Sequence, residues 1–184
     1  MTPDPAIETF QPAEPRFAYL VAHQSGWQFG EQGIIEHLAT QYNCRSCCEI
    51  GAGDGDRLPV TCDGLIRRGL ACDLWECDPI KNQALQEKYI SWPVEIHGSF
   101  RPHKFTPADV MVIDVDGDDF AIMFHVVEQL YPPLVLMVEH ANPRDPNSTQ
   151  ATHQEIAEYA TRRGYTLLGA TLVNSIFLAN EIIG

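Results

Sequence analysis

The stretch Glu49-Ile50-Gly51-Ala52-Gly53-Asp54-Gly55 carries the strongest structural signal in the sequence. It continues directly from a short apolar run, residues 46–50, that has the length of a strand. Alternate glycines let the backbone turn sharply and approach a ligand closely. The stretch therefore predicts a strand that ends in a ligand-binding loop.

Strand-like and helix-like segments alternate around this loop. Asp78 followed by Pro79 is typical of a helix start. The predicted strands are residues 46–50, 71–75, 94–96, 110–115 and 134–138. The predicted helices are residues 31–43, 58–68, 79–89, 120–130 and 149–163. Such alternation predicts a parallel sheet with helices on both faces.

The end of the sequence departs from this alternation. Residues 165–170 and 175–179 are strand-like, and the four residues between them are too few for a helical crossover. These two strands should therefore pair antiparallel. The predicted fold is α/β and Rossmann-like: a doubly wound, mostly parallel seven-stranded sheet ending in an antiparallel hairpin. It should span residues 26–184, after an irregular, proline-containing N-terminal arm at residues 1–25.

The charge balance bears on the partners. The 184 residues include 25 acidic and 12 basic side chains, a formal net charge of -13, which would repel a polyanion and argues against a nucleic-acid partner. No run approaches the roughly 18 apolar residues of a membrane span, so no membrane partner is expected. The N-terminus lacks the pattern of a secretory signal, which favours a cytoplasmic location. A homo-oligomer remains open.

The six cysteines at positions 44, 47, 48, 62, 72 and 77 allow two interpretations. Cys44 and Cys47 have the spacing of zinc ligands, but no second pair stands nearby. Cys47, Cys48, Cys72 and Cys77 also fall in or beside apolar runs, where free cysteine behaves as a small hydrophobic residue. Buried reduced thiols are therefore the prediction.

An acidic residue, Glu76, follows the second predicted strand, about twenty residues after the glycine loop, where its carboxylate could accept hydrogen bonds from a ribose. A nucleoside-containing ligand is therefore expected. A dinucleotide such as NAD is the weaker alternative, because the third glycine of that fingerprint is missing. Asp54 would repel a pyrophosphate but would suit a cationic ligand.

These features resemble the class I S-adenosylmethionine-dependent methyltransferases, in the glycine loop, the acid after the second strand and the final hairpin. A more specific likeness is to the FkbM-like methyltransferases. It is carried by residues 28–34 (Gln-Phe-Gly-Glu-Gln-Gly-Ile), 49–55, 75–79 (Trp-Glu-Cys-Asp-Pro) and 113–120 (Ile-Asp-Val-Asp-Gly-Asp-Asp-Phe). The sequence departs from that group's pattern at residues 59–61, Asp118 and residues 139–142.

The resemblance implies S-adenosylmethionine as cofactor. It assigns Glu76 to the ribose, and Cys77 with the Gly98-Ser99 turn to the surroundings of the adenine. The residues that would bind the methionine part or complete the cofactor site are Glu49, Gly51, Ala52, Gly53, Asp54, Gly55 and Asp114.

Carboxylates cluster after the fourth and fifth predicted strands, and they repel one another unless something relieves them. Asp118 or Asp119 could cap the next helix. Asp116 could face the sulfonium or orient the acceptor. A third alternative is a magnesium-like ion held by Asp114, Asp116 and Glu139.

Methyl transfer to a hydroxyl or amine requires a group that takes the acceptor's proton, and Asp116 and His140 are the candidate general bases. A purely structural role for His140 is equally open. The predicted function is O-methylation of a small molecule or sugar. The alternatives are a catalytically inactive nucleoside-binding or assembly module and, less favoured, an NAD-dependent enzyme. Trp27 and Phe29 could line the acceptor site, although packing in the core is the favoured role.

Overall fold

The computed structural model describes residues 30–57, 60–129 and 131–182. The predicted N-terminal arm, Trp27 and Phe29 lie outside these residues. Seven strands form one sheet in the order β3-β2-β1-β4-β5-β7-β6. They are β1 (Ser46–Ile50), β2 (Ala71–Trp75), β3 (Val94–His97), β4 (Val110–Ile113), β5 (Val135–Glu139), β6 (Tyr165–Ala170) and β7 (Asn174–Ala179).

The pairing of the strands confirms the predicted fold class. Strands β1 to β5 are paired in parallel. β7 runs antiparallel to both β5 and β6. The reversal of strand order between β1 and β4 puts the carboxyl ends of the two halves side by side, and in an open parallel sheet that crevice is where ligands bind.

Five α-helices lie in the described residues: α1 (Glu31–Gln41), α2 (Asp63–Arg67), α3 (Pro79–Lys88), α4 (Asp119–Val127) and α5 (His153–Arg162). α1, α2 and α3 bury apolar side chains such as Ile35, Leu65 and Leu85 on one face of the sheet. α4 and α5 do so on the other face, through residues such as Met123 and Ile156. None of the described helices is long and apolar enough to cross a bilayer.

Local hydrogen bonds explain where the helices begin and end. Asp78 accepts from the amides of Ile80 and Lys81, so it caps α3 as predicted. Thr152 and Glu155 form a reciprocal capping box at the start of α5. Gly164, just after α5, has a φ of 86°, a left-handed conformation that favours glycine.

Several predicted segments are longer than the observed ones, and hydrogen bonds explain two of these differences. Within residues 60–68, the described part of the helix expected at residues 58–68, the observed helix covers only Asp63–Arg67. The amides of Thr61 and Cys62 donate to the Glu49 carboxylate instead. β4 ends at Ile113 rather than at residue 115. The chain turns there because the Asp119 carboxylate accepts from the amides of Val115 and Gly117.

The cysteine prediction holds at five positions and is wrong at one. Cys44, Cys47, Cys48, Cys62 and Cys72 are buried free thiols. Cys77 is exposed, because it follows the end of β2 at the sheet edge rather than lying within the strand.

Candidate functional site

A cavity of about 260 Å³ opens at the carboxyl ends of β1, β2, β4 and β5. The two halves of the sheet diverge at this point, so the position is the one that the topology favours for a ligand. The lining residues are Glu49, Ile50, Gly51, Ala52, Gly53, Thr61, Trp75, Glu76, Cys77, Lys81, Phe100, Asp114, Val115, Asp116, Glu139 and Val173.

Gly51 allows the backbones after β1 and β4 to approach closely. Its φ is 93°, and a Cβ at this position would overlap the carbonyl oxygen of Asp114. The amides of Gly51 and Ala52 both donate to the carbonyl of Trp75, at 2.9 and 3.1 Å. The glycine loop is thus fastened to the end of β2, with its backbone facing the cavity.

Asp54 and Gly55 lie on the outer part of the loop and are not among the residues that line the cavity. The Asp54 carboxylate accepts from the amides of Asp56 and Arg57, at 2.9 and 2.8 Å. The Lys88 ammonium donates to the carbonyl of Gly55. These contacts stabilise the conformation of the loop on the side that faces away from the cavity.

Glu76 joins the second strand to the glycine loop. One carboxylate oxygen accepts from the Gly53 amide at 2.9 Å, and the other accepts from the Asp78 amide at 2.8 Å. The residue is only 6% exposed, yet it lines the cavity. Each carboxylate oxygen has more than one lone pair, so the oxygens held by backbone amides can still accept hydroxyl groups from the cavity side.

Glu49 is also held by two backbone amides, those of Thr61 and Cys62, each at 2.8 Å. Burial, opposed in part by these two bonds, raises the pKa of Glu49 to about 7. Glu49 therefore ties β1 to the start of α2 while it contributes a carboxyl to the cavity wall.

Asp114, Asp116 and Glu139 meet on the opposite side of the cavity, with one oxygen of each within 4.8 Å of the others. Burial and the neighbouring carboxylates raise the pKa of Asp114 to about 7 and that of Glu139 to about 8. The Gln150 amide donates to Glu139 at 2.6 Å. Within the described residues, no hydrogen bond to the Asp114 carboxyl is found. A cation at this position would relieve the repulsion among the three groups.

Asp118 and Asp119, which follow Asp116 in the chain, lie at the start of α4. Asp119 is 1% exposed and accepts from the Val115 and Gly117 amides. Asp118 occupies the N-cap position of α4, but its side chain makes no capping hydrogen bond. Asp116, which lies between the fourth strand and these acids, has a φ of 58°.

His140 is 4% exposed and is not among the residues that line the cavity. Its Nδ1 lies 3.0 Å from the carbonyl of Ala141, and its ring centroid lies 5.2 Å from that of His153. Burial lowers the pKa of His140. Its described contacts thus belong to the packing at the end of β5.

The residues assigned to the adenine surroundings are divided between two concave surfaces. Cys77 lines both the cavity and an adjoining open groove along α3, whereas Gly98 lines only the groove. Ser99 is exposed and lines neither.

Sequence patterns assigned no role in the site to several lining residues. Trp75 and Phe100 form an aromatic wall, with ring centroids 5.4 Å apart. Their positions at or just after the ends of β2 and β3 could have indicated this edge of the sheet. Val173 reaches the cavity from the β6–β7 hairpin, and no local sequence signal points to it.

No protein-family model and no curated protein sequence matches the chain. Solved structures do match. An O-methyltransferase from Bacillus cereus in complex with SAH has a TM-score of 0.63 at 15% identity, covering 97% of this chain and 92% of that one. The O-methyltransferase TomG from Streptomyces achromogenes, in complex with SAM, has a TM-score of 0.59 at 16% identity, covering 90% of each chain.

A proposed RNA methyltransferase from Pyrococcus horikoshii has a TM-score of 0.58 at 11% identity, covering 90% of this chain and 98% of that one. The identities are low, so these similarities concern the fold. The strand order, the glycine loop after β1 and the antiparallel end of the sheet agree with it. The chain therefore has the Rossmann-like fold of the S-adenosylmethionine-dependent methyltransferases.

Proposed function

We propose that this protein is an S-adenosylmethionine-dependent methyltransferase that methylates an oxygen of a small molecule or sugar. One observation carries the proposal: a glycine loop and a buried glutamate, joined by the hydrogen bond from the Gly53 amide to Glu76, line a cavity rich in carboxylates. A ribose needs acceptors of the kind that Glu76 offers. A sulfonium and an ammonium group need negative charge nearby.

The residues present fit this cofactor. Glu76 would accept the ribose hydroxyls, and Glu49, Asp114 and the backbone of residues 51–53 would hold the methionine part. The second oxygen of Glu76 already holds the Asp78 amide, so its orientation is set before the ligand binds. Asp54 and Gly55 support the loop rather than contact the cofactor. Cys77 and Gly98 would border the adenine, and Ser99 follows Gly98 in the chain.

When bound, S-adenosylmethionine supplies a methyl group that is already activated, so the chain's main contribution is alignment. Asp116 is an exposed carboxylate on the lining of the cavity. We assign it as the group that takes the proton from the acceptor hydroxyl. His140 packs beside His153 outside the cavity lining, so we assign it a structural role at the end of β5.

Titration calorimetry with S-adenosylmethionine, S-adenosylhomocysteine and NAD tests the cofactor. We expect heat with the first two. Gly53→Arg should abolish it, because the added side chain would fill space on the cavity side of the loop. Gly69→Arg is the matched control: Gly69 also has a positive φ, but a Cβ added there meets no neighbour within 4 Å among the described residues. Binding of NAD alone would overturn the proposal.

Acceptor chemistry is tested with labelled S-adenosylmethionine against hydroxyl-bearing and amine-bearing small molecules and an RNA. Transfer to hydroxyl compounds, greatly reduced by Asp116→Asn with cofactor binding retained, is expected. Cofactor binding without transfer to any acceptor would favour the nucleoside-binding module instead.

A magnesium ion is a second candidate feature of the same site, since Asp114, Asp116 and Glu139 offer three oxygen ligands within 4.8 Å of one another. The ion would hold the acceptor oxygen and lower its pKa. We expect chelation of divalent ions to reduce transfer and added Mg²⁺ to restore it. Unchanged turnover after chelation would exclude this role.

The FkbM-like relationship belongs to the same proposal. It rests on the sequence around residues 28–34 and 113–120. A small-molecule acceptor, rather than a nucleic acid, is supported by the net charge of -13 and by the carboxylates that face the cavity.

A further inference from the structure

Strands β2 and β3 expose a second group of metal-ligating side chains, separate from the lining of the cavity. Asp73 pairs with Glu95 across the two strands, and Trp75 pairs with His97. Because side chains alternate along a strand, these four residues share one face of the sheet. That face also carries Cys48 and Ile50 of β1.

The connection between β3 and β4 explains why these groups reach solvent. Within the described residues 98–109, the only helical element is the three-residue 3₁₀ turn Pro102–Lys104. A crossover between parallel strands usually carries an α-helix that covers the sheet. Here the side chain of Asp73 is 22% exposed to solvent, and that of His97 is 30% exposed.

The three polar groups converge. One ligand atom from each of Asp73, Glu95 and His97 lies within 4.8 Å of the others. His97 Nε2 is 3.5 Å from Asp73 Oδ1, which is longer than a good hydrogen bond. Three ligands about 2.1 Å from one ion in tetrahedral geometry stand about 3.4 Å apart, so rotations of the side chains must bring these atoms closer by at most about 1.4 Å.

Two further features favour a ligand there. The His97 ring is stacked on Trp75, with centroids 4.2 Å apart and planes 24° apart, so the position of the imidazole is fixed. Asp73 and Glu95 stand directly opposite each other on strands that are about 4.8 Å apart. Carboxylates so placed repel one another, and a cation between them would reverse the sign of that interaction.

We propose that Asp73, Glu95 and His97 form a binding site for a divalent transition-metal ion of the Zn²⁺ class. An imidazole with two carboxylates suits zinc and its neighbours better than Mg²⁺ or Ca²⁺, which prefer oxygen ligands. Three protein ligands leave at least one coordination position for water. The site is distinct from the carboxylate group at Asp114, Asp116 and Glu139, which contains no nitrogen ligand.

Equilibrium dialysis of the full chain against buffered Zn²⁺, followed by elemental analysis, tests the site. We expect one tightly bound equivalent of Zn²⁺ per chain, which an excess of Mg²⁺ does not displace. His97→Gln and Glu95→Gln should each weaken it at least about tenfold, because each removes a ligand. The matched controls His103→Gln and Glu87→Gln, which change exposed residues outside the group, should leave it unchanged.

Thermal unfolding provides an independent readout, because an ion that binds only the folded state stabilises it. Saturating Zn²⁺ should raise the Tm of the wild type and of both controls, but not that of Glu95→Gln, whose exposed side chain can change without affecting the core. The proposal is overturned if the wild type binds no Zn²⁺. It is equally overturned if the two ligand variants bind it as tightly as the wild type, or if only Cys77→Ser removes binding.

Discussion

The two sides of the cavity satisfy their carboxylates in different ways. On the β1–β2 side, Glu49 and Glu76 each accept two backbone amides. On the β4–β5 side, Glu139 has the Gln150 amide, and no described group donates to Asp114. The first side is organised before any ligand arrives, whereas the second retains repulsion that a ligand can relieve. The difference suggests that the β1–β2 side orients the cofactor and that the β4–β5 side responds to its charge.

The largest effect should come from Gly51→Ala, which changes the glycine loop on the β1–β2 side of the cavity. Its Cβ would overlap the Asp114 carbonyl oxygen at a φ of 93°, so the two backbones must separate. We expect a loss of at least about 3 kcal/mol in the free energy of unfolding, measured with urea. Gly69→Ala, with a positive φ but open space, should lose only about 1 kcal/mol. Similar losses for the two variants would contradict the close approach of β1 and β4.

The next effect should come from Glu76→Gln. It removes the charge and one acceptor that hold the Gly53 and Asp78 amides. We expect an affinity for S-adenosylmethionine that is at least about tenfold lower by calorimetry, with the fold retained. Glu158→Gln on the exposed side of α5, outside both the cavity and the groove, is the control for charge and should bind as the wild type does. Equal affinity for both variants would remove Glu76 from the cofactor site.

The pH dependence of stability tests the β4–β5 side of the cavity. The pKa values of Asp114 and Glu139 are raised to about 7 and 8, chiefly by burial, so these groups bind protons in the folded state that they lose in the unfolded chain. The stability that this confers is present at low pH and is lost as the pH rises through those values. We therefore expect the Tm of the free protein to fall as the pH rises from about 4 to about 8, in part because of Asp114, with little further loss from these two groups above that range.

A cationic cofactor should reverse that trend, because it favours the ionised carboxyls. Its affinity should rise over the same range and its binding should release protons, which calorimetry in buffers of different ionisation enthalpy measures. Asp114→Asn should weaken both pH dependences, whereas Asp145→Asn, on the exposed loop after β5, should change neither. Affinity that falls with rising pH would contradict a cationic ligand beside Asp114.

The smallest effect should come from changes at the N-caps of two helices: α3, which follows β2, and α4, which follows β4. Asp78→Ala removes a side chain that accepts from the Ile80 and Lys81 amides, and we expect a cost of about 1 kcal/mol in the free energy of unfolding. Asp118→Ala changes an N-cap that makes no such bond, so its effect should stay within about 0.5 kcal/mol. A larger loss from Asp118→Ala than from Asp78→Ala would contradict the assignment of Asp78 as the stabilising cap.

The sequence predicted the sheet well because its signals are local. Residues 46–50, 71–75 and 165–170 match β1, β2 and β6, since short apolar runs bounded by turn residues are strands in most contexts. The helix at residues 58–68 was overestimated because Glu49, a residue distant in sequence, takes the amides of Thr61 and Cys62. A competing partner of that kind leaves no mark in the periodicity of the segment.

The candidate site was predicted in part for the same reason. Glu49, Gly51, Gly53, Glu76, Asp114 and Asp116 line the cavity, because strand ends in a parallel sheet meet at one edge. The positions of Asp54 and His140 depend on which way each side chain turns. Asp54 turns to amides of its own loop, and His140 packs near His153, which follows it by thirteen residues in the chain. Side-chain direction at a loop is set by such contacts rather than by spacing.

Hydrogen–deuterium exchange with and without S-adenosylhomocysteine tests the central claim most directly, because it locates the ligand without a substitution. The account predicts slower exchange on binding in peptides that cover residues 51–57, 76–78 and 114–117, with the 3₁₀ turn Pro102–Lys104 unchanged. Protection confined to segments away from the carboxyl ends of β1, β2 and β4, or no protection at saturating ligand, would contradict a cofactor site in this cavity.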